Sequence, residues 1–266
     1  MEQRKTGPTP TADEAFSDRP QEDIIAGRNA VAEALRAGRA IDSVLLAKGD
    51  RAGSISALAA QCRRKGLLVK EVDSRKLDAL CGPNHQGIAA LAACKETVTL
   101  DELFAAAEAK GEPPFFVVCD ELEDPHNLRA ILRTAETAGV HGVVIPKRRS
   151  AGLTSAVYKA SAGAVEYVPV ARVSNITDAL REMKKRGVWV YGLDMDGETW
   201  CSVDMKGAAA VVVGSEGRGI SRLVKEQCDF IVSLPMRGHI TSLNASVACG
   251  IVLYEAARQR QRLAAK

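Results

Sequence analysis

Val211-Val212-Val213-Gly214-Ser215-Glu216-Gly217-Arg218-Gly219 decides how this chain folds. The β-branched run reads as a buried strand, the glycines as a turn, and a helix is predicted from about Ile220. Glycine lets the backbone approach a ligand closely or take positive φ. On local pattern the stretch is either a tight turn with a helix cap or a nucleotide-binding loop. Its spacing is G-x-x-G-x-G and it comes late in the chain, so it is not the usual dinucleotide fingerprint. A dinucleotide site also wants an acid at the end of its second strand. Here that strand ends in Pro146-Lys147-Arg148-Arg149. A conventional Rossmann dehydrogenase or methyltransferase is disfavoured on both counts.

Outward from this stretch the pattern alternates. Strands are predicted at 115–119, 143–145, 167–170, 188–192, 209–213 and 231–234, and helices at 124–138 and 242–262. Strands alternating with helices imply an α/β domain with a mainly parallel sheet, placed at 114–266. Residues 21–95 form a smaller α/β unit: a helix around Val31, Ala34 and Leu35 stopping at Gly38, strands at 41–47, 66–72 and 87–94, and helices at 54–65 and 74–80. Residues 96–113 are an acidic, alanine-rich linker with a helix at 101–110. Residues 1–20 lack periodicity and read as a disordered tail.

Composition narrows the class. The chain has 266 residues, 46% of them hydrophobic but only 4% aromatic, so its core must be aliphatic. The seven cysteines form no Cys-x-x-Cys pair, which removes zinc spacing and suits reduced, buried thiols. No apolar run is long enough to span a bilayer, and the N-terminus lacks an apolar signal core, so a soluble cytoplasmic protein is expected. The net charge is +3. Residues 21–95 carry 12 Lys/Arg against 8 Asp/Glu, and 114–266 carry 20 against 16. Both folded units are therefore basic, which favours a polyanionic partner.

Two further segments carry candidate chemistry. Asp124-Pro125-His126-Asn127-Leu128-Arg129 opens a helix that continues through Arg133. Asp124 suits the cap and Pro125 the first turn. Arg129 and Arg133 lie one turn apart and repel. Either they sit on a solvated face with an Arg133–Glu136 pair, or a phosphate between them offsets the repulsion. In Leu234-Pro235-Met236-Arg237-Gly238-His239-Ile240-Thr241-Ser242-Leu243-Asn244-Ala245-Ser246, a strand gives way to a loop and a helix entrance. Thr241, Ser242, Asn244 and Ser246 exceed what a single cap requires. They are spare polar residues or ligand contacts at free helix N–H groups. His85, His126, His141 and His239 show no metal spacing and read as turn or surface residues. Lys147-Arg148-Arg149 is a solvated turn or, beside a nucleotide site, an RNA contact.

Together, and in this order, the three segments resemble the motifs of SpoU-type (TrmH-like) RNA 2′-O-ribose methyltransferases of the SPOUT superfamily. Residues 114–260 are similar closely. Residues 24–95, with Asn84-His85-Gln86-Gly87, resemble that family's RNA-binding substrate domain. The whole chain looks most like the bacterial 23S rRNA guanosine 2′-O-methyltransferase branch.

The resemblance implies a deep trefoil knot, a homodimer, and S-adenosylmethionine as cofactor with no metal. RNA is the implied partner, ribosomal or else transfer RNA, with no DNA and no membrane. A non-catalytic RNA- or ribosome-binding protein of the same fold is the other reading. Cofactor contacts are implied at Gly192, Gly214, Leu234, Met236 and Leu243, and catalytic roles for Asn127, Arg133, Glu216, Ser242 and Asn244. Asn127, Ser242 and Asn244 are neutral hydrogen-bonders suited to positioning. Arginine is a poor free base, with a pKa above about 12, so Arg133 either relays a proton to a phosphate or stabilises the developing alkoxide. Glu216 is expected to order its loop or position substrate. Arg129 stands where the family's motif usually has glycine; a large cation there either obstructs substrate or adds a phosphate contact, and the second is expected.

Overall fold

The computed structural model describes residues 22–49, 53–93, 95–148, 150–151 and 163–260. The predicted N-terminal tail lies outside these residues, as do Cys94, Arg149 and the last residues of the predicted closing helix. Two sheets organise the rest.

The first sheet comprises β1 (Glu22–Ala26), β2 (Ile41–Ala47), β3 (Leu68–Val72) and β4 (Ile88–Ala93) in the order β1-β4-β2-β3. β4 runs antiparallel to both its neighbours, and β2 pairs parallel with β3. Helices α1 (Arg28–Arg36), α2 (Gly53–Arg64) and α3 (Ser74–Cys81) pack on it. Val31, Leu35, Leu46, Leu58 and Ile88 form much of this core. β1 is absent from the sequence reading, because its partner β4 lies more than sixty residues away in the chain.

The second sheet holds β5 (Phe115–Cys119), β6 (Gly142–Pro146), β7 (Val170–Val173), β8 (Trp189–Thr199), β9 (Ala209–Val213) and β10 (Phe230–Ser233). Their order is β10-β8-β9-β5-β6-β7 and every pairing is parallel. A parallel sheet needs cover on both faces. α5 (Pro125–Thr137) and α9 (Ala245–Arg260) share one core with it, and α4 (Leu100–Ala109) and α7 (Ile176–Lys185) contribute to another. Strands β5, β6 and β9 are buried nearly throughout, as their unbroken apolar runs require. Among the described residues, no helix is long and apolar enough to cross a membrane.

Five details depart from expectation. The strand predicted at 167–170 is instead the end of a short helix, α6 (Ala164–Tyr167), with β7 starting at Val170. The helix after the glycine loop is only α8 (Arg222–Lys225). The closing helix starts at Ala245, three residues late, because Asn244 caps it. His85 and His141 are buried: each Nδ1 accepts a backbone N–H, from Gly87 at 2.9 Å and from Phe115 at 3.1 Å. Cys62, Cys119 and Cys249 are buried, but Cys201 is exposed rather than buried.

The connector is more than a tether. α4 buries Leu103 and Ala107, and Val98 donates its N–H to Val170 at the sheet edge. The two units meet at α6. Arg39 pairs with Glu166 at 2.7 Å, the side chains only 7% and 5% exposed. Tyr167 donates its hydroxyl to Glu33 at 2.8 Å, and Lys95 donates to the Val165 carbonyl. A desolvated pair costs more to leave half-made than a surface pair, so this contact holds the small unit in a defined position.

Candidate active site

All strands of the second sheet point their C-terminal ends the same way, and open α/β sheets bind ligands outside those ends. β5 is followed directly by Asp120, whose buried carboxylate accepts the Ser221 N–H at 2.7 Å. β9 ends in the glycine loop, closed on itself by Ser215 N–H to the Gly219 carbonyl and Gly219 N–H to the Ser215 carbonyl. A Cβ on Gly214 would lie 2.1 Å from the Gly219 carbonyl carbon. Gly192 is likewise fixed by packing, since a Cβ there would meet Cys228 Sγ at 2.7 Å. The sequence signal at both glycines thus reflects loop closure and close packing.

Three side chains from three motifs meet here. Asn127 Nδ2 donates to Glu216 Oε1 at 2.9 Å, Asn244 Nδ2 donates to Asn127 Oδ1 at 2.9 Å, and Asn244 also donates to Glu216 Oε1. Asn127 is 3% exposed. Asn244 uses its other end to cap α9: its Oδ1 accepts the Ser246 and Val247 N–H groups and the Ser246 hydroxyl. One amide therefore joins the helix cap to the site. Asn244→Ala should destabilise the protein by about 1–2 kcal/mol through the lost cap, measurable in urea, and leave Asn127 Oδ1 without its donor. A change under 0.3 kcal/mol would show that the cap is not coupled to stability.

The triangle borders a cleft of about 270 Å³ lined by Leu122, Glu123, Asp124, Asn127, Ser215 and Glu216, with Gly217 and Arg218 at its glycine-loop side. Arg218 faces Glu121 and Glu123, each at 3.6 Å. Glu121 has φ 50°, a left-handed conformation uncommon outside glycine. Asp120, Leu122, Glu123 and Arg218 were not singled out from sequence. The acidic run directly after a buried strand was the available signal. As expected, Asp124 caps α5, accepting the His126 N–H at 2.8 Å. Burial pushes the Cys249 thiol up to about 12 and raises that of Cys119, so neither buried thiol behind the site is a nucleophile at neutral pH.

Other expected site residues stand apart from the triangle. Ser242 is exposed and makes no hydrogen bond among the described residues, its expected place beside Asn244 being taken by Ser246. Arg133 is exposed and, among the described residues, its side chain has no hydrogen bond or ion pair; the Arg133–Glu136 pair does not form. At about 100° per residue, Arg133 lies roughly 120° around α5 from Asn127 and roughly 40° from Arg129. Within one subunit it is turned away from the triangle. Leu234, Met236 and Leu243 belong to the loop between β10 and α9. Among the described residues, the backbone of 234–243 makes no hydrogen bond, and Met236, Ile240 and Leu243 are exposed.

A parallel α/β domain whose strand ends carry a closed glycine loop, an amide–carboxylate triangle and an unpaired loop, joined to a small α/β unit, defines the class. Its sequence matches two family patterns: the SpoU rRNA Methylase family over residues 114–254, and the RNA 2′-O ribose methyltransferase substrate binding family over residues 24–98. The chain is 48% identical over 241 residues to the Putative TrmH family tRNA/rRNA methyltransferase YacO of Bacillus subtilis, covering 90% of this chain and 97% of that one. A Putative TrmH family tRNA/rRNA methyltransferase of Staphylococcus haemolyticus is 44% identical, covering 90% and 97%. Among solved structures, an RNA 2′-O ribose methyltransferase superposes with TM-score 0.76 at 26% identity, covering 91% of this chain and 90% of that one. The SpoU methyltransferase AviRb from Streptomyces viridochromogenes, solved with AdoMet, also gives 0.76, at 23% identity and 91% of both chains. The chain belongs to the SpoU family of RNA methyltransferases.

Proposed function

We propose that this protein transfers a methyl group from S-adenosylmethionine to the ribose 2′-hydroxyl of a guanosine in 23S rRNA, as a cytoplasmic homodimer. The Asn127–Glu216–Asn244 triangle carries this reading, because it gathers one residue from each of the three motifs at the strand ends.

The loop at 234–243 suits the cofactor. Its unpaired backbone groups offer donors and acceptors for an adenine edge, and exposed Met236 and Leu243 offer apolar faces. Gly192, in β8 where its pairing with β9 stops, and Gly214, just past the end of β9, contribute backbone. When bound, the sulfonium supplies an electrophilic methyl group already activated by its charge. The protein then has to orient the hydroxyl and handle one proton. Asn127 and Asn244, with Ser242 at the loop rim, position by hydrogen bonding, and Glu216 holds the glycine loop against both asparagines.

Arg133 supplies the cation, held over the cleft as Arg133 of the partner subunit. Two observations support the dimer. Arg133 points away from its own triangle, and α9 is apolar on two faces. Val247 and Tyr254 are 50% and 53% exposed on the face away from the sheet. A second copy covering that face would also bring α5 alongside. Residues 21–95 dock the RNA, and the trefoil knot belongs to the same reading of 114–266.

Methylation mapping of total RNA tests the substrate. A 2′-O-methyl ribose leaves an alkali-resistant dinucleotide readable by mass spectrometry. Deleting the gene should remove one such guanosine from 23S rRNA. Loss from transfer RNA alone would reassign the substrate, and loss from neither would overturn the proposal.

A further inference from the structure

Beside the cleft the sheet end changes sign. β6 and β7 lie one and two strands beyond β5, about 5 and 10 Å along the sheet. At their C-terminal ends stand Lys147, Arg148 and Arg172, all exposed. Among the described residues, none of the three pairs with a carboxylate. This is not general in the domain. Arg181, Lys184, Arg186, Arg222, Lys225 and Arg258 each pair with one. Most cations around α7, α8 and the end of α9 are thus neutralised locally, Lys185 and Arg260 being exceptions without a carboxylate partner among the described residues, whereas at the β6–β7 end three unneutralised cations stand together.

The cluster is also held rigidly. Lys147 donates its N–H to the Val173 carbonyl at 2.8 Å, and its own carbonyl accepts from Arg172 Nη2 at 3.0 Å. Four residues after Lys147, Ala151 donates to the carbonyl of Leu122, a cleft residue, at 2.8 Å. Lys147 and Arg172 are thus tied to the end of β7, and Ala151 to the cleft wall. Like charges held together by backbone bonds cost stability unless an anion relieves them, and rigid display lowers the entropy lost on binding.

We infer that Lys147, Arg148 and Arg172 form a phosphate-binding platform that seats the RNA backbone next to the nucleotide entering the cleft. This rests on the proposed RNA methyltransferase activity and adds to it the surface that positions the strand. It predicts a contact that is electrostatic and indifferent to base identity.

The test is the variant Lys147→Gln/Arg148→Gln/Arg172→Gln against 23S rRNA transcribed in vitro, with binding measured by filter retention across a salt series. Counterion release is about 0.7 to 0.9 per phosphate contact. The slope of log K against log salt should therefore fall in magnitude by about 2 to 3, and affinity in 0.1 M salt by on the order of 100-fold. Lys185→Gln, at the opposite end of the sheet, should change neither. S-adenosylmethionine binding should be unchanged, and in methyl transfer KM for RNA should rise with kcat nearly constant. An unchanged salt slope overturns the platform, as does an effect confined to assembled ribosomal subunits, which would make the patch a protein contact. The binding arm reads the platform even if wild-type protein methylates nothing, an outcome that would count against the proposed activity alone.

Discussion

Arg133→Ala is expected to abolish methylation while leaving the fold intact. The side chain is exposed and unpartnered among the described residues, so its removal should change stability by no more than about 0.5 kcal/mol. Its loss in catalysis is of another order. A donor aimed at charge that develops only in the transition state contributes about 10²- to 10³-fold in kcat, and a proton relay adds to that. Arg133→Lys should not restore activity, because a point charge lacks the planar fork that holds a phosphate in two places. Turnover within tenfold of wild type would remove Arg133 from the mechanism. Mixing Arg133→Ala with Asn244→Ala subunits separates the two architectures. If each site takes its arginine from the other subunit, half of the random dimers contain one intact site, and roughly a quarter of wild-type activity returns. No recovery would place the arginine in its own subunit's site.

Gly214→Ala is expected to destabilise the protein by about 3 kcal/mol or more and to eliminate S-adenosylmethionine binding. The added methyl would meet the Gly219 carbonyl group at 2.1 Å and the Ile220 nitrogen at 2.3 Å. Overpacking against side chains costs about 1–3 kcal/mol because rotamers give way. Here the obstacle is backbone, locked by the paired Ser215–Gly219 hydrogen bonds. Relief requires opening the loop that carries Glu216. Gly217→Ala is the control: nothing lies within 4 Å of its Cβ position, and stability should stay within about 0.5 kcal/mol. Equal urea midpoints for the two variants would refute the closure argument.

Much of this protein was determined locally. The apolar runs at β5, β6 and β9, the Asp124-Pro125 entrance to α5 and the alternation of periods are short-range signals, and each formed as the sequence predicts. The misreadings share a cause. β1 exists because β4 pairs with it, and Tyr167 lies in α6 rather than in a strand because that segment docks against α1 and Arg39. Gly192 and Gly214 were legible as special, but their reason was not, since the atoms that forbid a side chain belong to Cys228 and Gly219. At the site the sequence supplied the residue types and their order. Only the tertiary structure decided that Asn127, Glu216 and Asn244, separated by 89, 117 and 28 positions, share one set of hydrogen bonds while Arg133 and Ser242 stay outside it. The physical reason is the parallel sheet. It gathers strand ends far apart in the chain at one edge, whereas the direction a side chain takes from a helix depends on what that helix packs against.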